Sequence, residues 1–161
     1  MNPQYNEFYK TITNPIKYKL FMLFKLPMGF LSGLKLINLQ PHNAKVQVKY
    51  KWLNQNPFSS IYFAVLAMAA ELSTGLLAFA QIHKRQPNVS MLVVKNEAEF
   101  YKKAVGKILF TCNDGQKVID AIEHTIATKE GVTVACESIG VNEQGETVAK
   151  FVFTWSFKAK S

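Results

Sequence analysis

Residues 59–82 read SSIYFAVLAMAAELSTGLLAFAQI, 24 positions that are nearly all apolar, with one charge, Glu71, at their centre. A lone carboxylate is costly to bury unless it has a partner or a task. Wound as a helix, the run places Ala64, Ala67, Thr74, Gly75 and Ala78 on the side of Glu71, a stripe of small side chains that lets a sheet, another helix or a ligand come close. Length alone fits a membrane span. A carboxylate at the bilayer centre costs about 2.5–3.5 kcal/mol, however, and the rest of the chain alternates like strands that want a water-soluble core. The other structural account is a core helix whose Glu71 pairs with a lysine or with backbone donors.

Working outward, Asn54-Gln55-Asn56-Pro57 is a turn that introduces this helix, with Ser59 or Ser60 as its cap. His83-Lys84-Arg85 closes it with charge suited to the negative end of a helix dipole. Upstream, Asn14-Pro15 starts a basic, very apolar helix that runs to Pro27 and Gly29. It has the composition of a membrane-surface helix, but packing over a sheet edge is the plainer account. GLKLINLQ and AKVQVKYKW then form a hairpin about Pro41-His42-Asn43, with Ala44, Val46, Val48, Tyr50 and Trp52 on the dry face and Lys45, Gln47, Lys49 and Lys51 on the wet one.

Downstream, strands are expected at about 89–98 and 105–113. A second amphipathic helix opens at Asn113-Asp114-Gly115 and stops at Gly131, with Val118, Ile119, Ile122 and Ile126 on one face. A closing hairpin from Val132 to Lys158 turns at residues 142–145, and Phe151, Phe153, Trp155 and Phe157 line one face of its last strand. A helix apolar on nearly every side implies a sheet that curls around it, so the fold class is α+β with a curved antiparallel sheet wrapped round one long apolar helix. The chain reads as a single domain over 1–161, with an N-terminal helical segment (1–32) and a core (33–158) that carries an inserted helix at about 115–129.

Composition narrows the function classes. The 161 residues are 48% hydrophobic and carry 19 Lys+Arg against 11 Asp+Glu, a formal net charge of +8 that favours anionic partners. The lysines are not gathered into a basic-aromatic nucleic-acid module, so no nucleic-acid partner is expected; a binder of that class would lose affinity steeply with salt. Cys112 and Cys136 sit in strand-like runs outside any CxxC motif and read as buried thiols of a reducing, cytoplasmic setting. His42, His83 and His124 lie too far apart for a local metal motif, and no metal is expected. No secretory leader is apparent at the N-terminus.

Asn56 stands six residues before Tyr62, Phe63 and Ala64 follow directly, and Glu71 comes nine residues after Tyr62. In spacing this resembles the hot-dog fold thioesterases, in particular the PaaI-like branch and a poorly characterised thioesterase-like family related to it. In the PaaI-like pattern the corresponding residues are an asparagine, a histidine, two glycines and an acid. Val89-Ser90 resembles the start of the next family strand, where a serine or threonine near the acid is common. Residues 100–106, FYKKAVG, resemble the aromatic-x-basic-Pro-Ala-x-Gly turn with Lys103 in place of the proline.

The resemblance covers roughly Gly33 to Lys158 and implies a hot-dog fold and acyl thioester hydrolysis, with acyl-CoA the expected substrate and no cofactor beyond the CoA that the substrate carries. Glu71 is then the base or nucleophile, with Asn56 orienting water or the carbonyl and Ser90 holding the attacking water. Backbone donors near Tyr62, Phe63 and Ala64 at the helix start would stabilise an oxyanion. Lys84, Arg85, Lys102 and Lys103 are candidates for the CoA phosphates, and Met68, Leu72 or the aromatics of the last strand for limits on acyl length. Ala64 and Glu71 lie seven residues apart, about 10 Å along one helix, too far to touch the same carbonyl. Donors and acid are therefore expected from different subunits of a homodimer or dimer of dimers. A non-catalytic acyl- or lipid-binding module is the rival reading, because Tyr62 is a poor base and Phe63 narrows the approach that a glycine leaves open.

Overall fold

The computed structural model describes residues 1–160. Three helices lead: α1 (Tyr5–Ile12), α2 (Pro15–Lys25) and α3 (Pro27–Ser32). Strands β1 (Lys35–Leu39) and β2 (Ala44–Lys49) form the hairpin, a short 3-10 turn covers Trp52–Asn54, and α4 spans Phe63–Ile82. There follow β3 (Val89–Phe100), β4 (Lys107–Cys112), α5 (Gly115–Thr128), β5 (Val132–Val141) and β6 (Thr147–Ala159). The six strands make one antiparallel sheet in the order β1-β2-β4-β5-β6-β3, which leaves β1 and β3 as its edges.

The inner face of the sheet supplies Val46, Val48, Ile108, Phe110, Phe151, Phe153, Trp155 and Phe157, all buried, and α4 lies across it. By length and composition α4 could cross a membrane, but 67% of its most apolar window is buried in the fold, which makes it the core helix. Its buried hydroxyls are paired as burial requires, while Gln81 Nε2 is left without a partner among the described residues. Trp155 Nε1 donates to Thr74 Oγ1 at 3.0 Å, and the Ser73 hydroxyl donates to the Ala70 carbonyl while lying 2.7 Å from Ser138 Oγ. Gly75 lets the indole close in: a Cβ there would stand 3.3 Å from Trp155 Cζ2. Cys112 and Cys136 are buried free thiols.

Several sequence expectations need correction. The helix does not start at Ser59 or Ser60 but at Phe63, with Tyr62 as its N-cap and no side-chain cap. Asn56 Oδ1 collects the N–H groups of Phe58 and Ser60 and the Ser60 hydroxyl, which holds 56–60 as a turn. Ile61 and Tyr62 then stay extended, their N–H groups donating to the carbonyls of Ala104 and Asn54.

At the N-terminus there are three helices in place of one. Asn14 caps α2 as its sequence promised, accepting from Ile16 N and Lys17 N, but Pro27 serves as the first residue of α3. Helix α1 was not expected, although Tyr5, Phe8 and Ile12 bury at helical spacing. Strand β2 stops at Lys49, so Trp52 enters the 3-10 turn and is 78% exposed instead of lining the dry face. Helix α5 ends at Thr128, and its cap Lys129 takes the left-handed conformation two residues before Gly131, the expected stop.

Candidate functional site

Glu71 sits midway along α4, half-buried, on the side facing α2 and α3. Burial alone pushes its carboxyl above the usual carboxylate range. Neither of the two bland partners, lysine or backbone donor, reaches its side chain among the described residues. Two adjoining clefts, of about 410 Å³ and 250 Å³, meet at Glu71 between α4 and the α2–α3 pair. Lys25, Leu26 and Leu72 line both; Phe79 and Met91 belong to the first, Met28 and Met68 to the second. The carboxylate therefore opens onto a mostly apolar space whose one cation is Lys25, a setting in which its proton affinity is tuned by desolvation.

The start of α4 forms a second feature. The N–H groups of Phe63 and Ala64 have no partner among the described residues, whereas that of Tyr62 is spent on Asn54 O. The helix dipole reinforces those two free donors. Tyr62 and Phe63 are exposed and meet edge-to-face at 4.9 Å between ring centroids, and Phe63 leans on Phe100 of β3. Asn56 lies just before, half-buried, its carbonyl oxygen committed to the turn and its amide nitrogen left to donate.

The remaining sequence candidates scatter. Ser90 is exposed, its hydroxyl donates to Lys158 O, and strand alternation turns it away from the cleft face that Met91 occupies. Lys84 and Arg85 lie at the far end of α4, paired with Glu7 and Glu123. Lys102 reaches Glu146 at 2.5 Å, while Lys103 is exposed beside it on the turn after β3. The structure thus places Asn56, Tyr62, Phe63 and Ala64 at the start of α4. It leaves Glu71 about 10 Å further along the helix and separates Lys84 and Arg85 from Lys102 and Lys103 by the helix length.

Sequence reasoning missed Lys25, Leu26 and Met28 as cleft residues. The available signal was a helix apolar on both faces, which has more to cover than a sheet edge. Among the described residues no group of three His, Cys, Asp or Glu side chains is placed to hold a metal ion.

A long apolar helix embraced by a six-stranded antiparallel sheet defines the hot-dog class, and solved structures agree. A Pseudomonas aeruginosa protein of unknown function described as a probable thioesterase superposes with a TM-score of 0.77 at 21% identity over 91% of this chain and 97% of that one. The Escherichia coli PaaI protein from the phenylacetic acid degradation operon superposes with a TM-score of 0.66 at 13% identity over 97% and 95%. At these identities the likeness establishes the fold. The chain belongs to the family described as Domain of unknown function (DUF4442), whose model matches residues 18–157. No curated protein sequence matches it.

Proposed function

We propose that this protein hydrolyses acyl thioesters, acyl-CoA being the expected carrier, at sites shared between two copies of the chain. The observation that carries the reading is the desolvated, unpartnered carboxylate of Glu71 opening onto an apolar cleft. Glu71 takes a proton from water as the oxygen attacks the thioester carbonyl; the C–S bond then breaks and the thiolate leaves to be protonated. The oxyanion needs donors, and the free N–H groups of Phe63 and Ala64 are of the right kind but too far along the same helix. An antiparallel neighbour supplies them.

The free edge of β3 offers the joint, because Asn96, Ala98 and Phe100 point to the helix side of the sheet yet remain exposed. The Asn56 amide would orient the water or the carbonyl, and Lys102 and Lys103 would meet phosphate at the rim. The free thiols of Cys112 and Cys136 suit a reducing compartment such as the cytoplasm. Ser90 has no part in this reading.

Incubating the protein with a panel of acyl-CoAs while following free thiol tests it. Turnover should fall by about 10²–10⁴-fold in Glu71→Gln, and sedimentation should give a dimer or tetramer. Absence of turnover, or turnover indifferent to Glu71→Gln, defeats the proposal. The rival, an acyl-binding module without chemistry, draws on the exposed Tyr62 and Phe63 standing over the helix start. Native mass spectrometry finding a retained acyl ligand that is never hydrolysed would decide for it.

A further inference from the structure

From Phe8 to Ala70 the chain contains eight lysines and not one aspartate or glutamate. The rest of the molecule carries eleven basic and eleven acidic residues, so the whole net charge of +8 resides in this stretch. None of the eight lysines forms an ion pair among the described residues, whereas seven cationic side chains elsewhere do. Lys45 and Lys49 lie on the outer face of β2, but Lys17, Lys19 and Lys25 lie on α2 and Lys35 lines a cleft with it; this local field favours an extended anionic surface over a balanced protein face.

The same stretch exposes apolar side chains in an ordered way. On α2, Ile16 (72% exposed), Leu20, Leu23 and Phe24 (74%) fall at positions i, i+4, i+7 and i+8, one stripe of the helix, with Lys17 and Lys19 along its two borders. Met28 and Leu31 of α3 continue the ridge. The opposite side of α2 is anchored: Met22 is buried, Tyr18 and Phe21 pack on the core, and the Tyr18 hydroxyl donates to Leu34 O. A helix fixed by one apolar face that offers a second, lysine-bordered apolar face to the outside has the make-up of an interfacial element.

We infer that the α2–α3 ridge docks onto an anionic lipid surface, with Ile16, Leu20, Leu23 and Phe24 entering the acyl boundary and the flanking lysines meeting headgroup phosphates. Lipid is favoured over a second copy because a self-complementary two-fold contact across this face would oppose lysine to lysine with no acid to offset it. Apolar insertion and a polybasic field are two signals that together suffice for membrane retention where either alone is marginal. Docking does not depend on the hydrolysis proposed above. If both hold, the Glu71 clefts, lined by Leu26 and Met28, open beside the lipid and an acyl chain has a short path in.

The test is co-sedimentation of the full chain with phosphatidylcholine vesicles and with vesicles in which roughly a third of the lipid is phosphatidylglycerol. Partitioning should be at least about tenfold stronger to the anionic vesicles and should weaken as salt is raised. The double variant Leu20→Ser/Phe24→Ser alters exposed positions only; with its melting temperature unchanged, it should lose at least about tenfold in partitioning. Lys17→Gln/Lys19→Gln should lose less and flatten the salt dependence. Equal weak binding to both vesicle types, or binding that survives Leu20→Ser/Phe24→Ser, overturns the inference. So does a fall in the sedimentation coefficient of Leu20→Ser/Phe24→Ser in lipid-free buffer, because that assigns the face to a second copy.

Discussion

At its C-terminal end α4 is tied down from several directions. Asn2 Nδ2 donates to the carbonyls of Ala80 and His83, Gln81 Oε1 accepts from Asn2 N, and Arg85 meets Glu123 of α5. At its N-terminal end the same helix has no side-chain cap, two free N–H groups and a pair of exposed aromatic rings. Caps at both ends would stabilise the fold equally well. One end is closed by the chain's own residues; the other keeps two free donors, the feature on which the proposed two-copy site rests.

The contrast breaks first, and most severely, at Phe63. Proline at the first helical position costs no intrahelical bond, and Tyr62 already has the extended conformation that a following proline demands. Phe63→Pro therefore removes one free donor while keeping the helix. Thioesterase kcat should drop by about 10²–10³-fold relative to a Phe63→Ala control, with little change in melting temperature.

Asn2→Ala sharpens the other side. It strips two helix-end carbonyls of a buried donor and should cost about 1–3 kcal/mol, or about 2–4 °C in Tm for each kcal/mol, while kcat per folded molecule stays the same. Thermal melting and acyl-CoA turnover on one preparation would separate the two outcomes.

Glu71 gives a smaller, pH-dependent effect. Its folded pKa is raised, so the unfolded chain loses its proton first as pH climbs. Stability falls from the ordinary glutamate value, about 4.3, up to the raised folded value and is level above it. Glu71→Gln removes this penalty. Its Tm should exceed that of the parent at neutral pH and match it below about pH 4. Smallest of all is Lys84→Ala: both members of its pair with Glu7 are about half exposed, so Tm should not move measurably.

Much of the fold was legible because periodicity carries it. The apolar run named the core helix, the alternation in 44–49 and 151–157 named the dry faces of β2 and β6, and Asn14-Pro15 named a cap that the structure uses. Competition at close range hid other features. Ser59 and Ser60 look like helix caps, but Asn56 takes the local hydrogen bonds first and delays the helix to Phe63. Lys84 and Arg85 read as a phosphate rim because Glu7 and Glu123, which occupy them, are 77 and 38 residues away. In the site, Glu71 was marked by being the one charge among apolar neighbours. The cleft beside it was not, since its other wall comes from a helix whose two apolar faces give no single stripe to follow.

Strand β3 ends the sheet with a rim of 12 residues that no strand of its own protomer covers. When such a rim zips antiparallel onto its twin, the symmetry axis stands perpendicular to the joined sheet and neither half is turned over. Whatever lies above one sheet lies above both, so the two α2–α3 ridges would point the same way, like two feet of one stool. A flat support then holds both feet at once: the second contact forms at the high local concentration set by the first, and departure needs both to lift together.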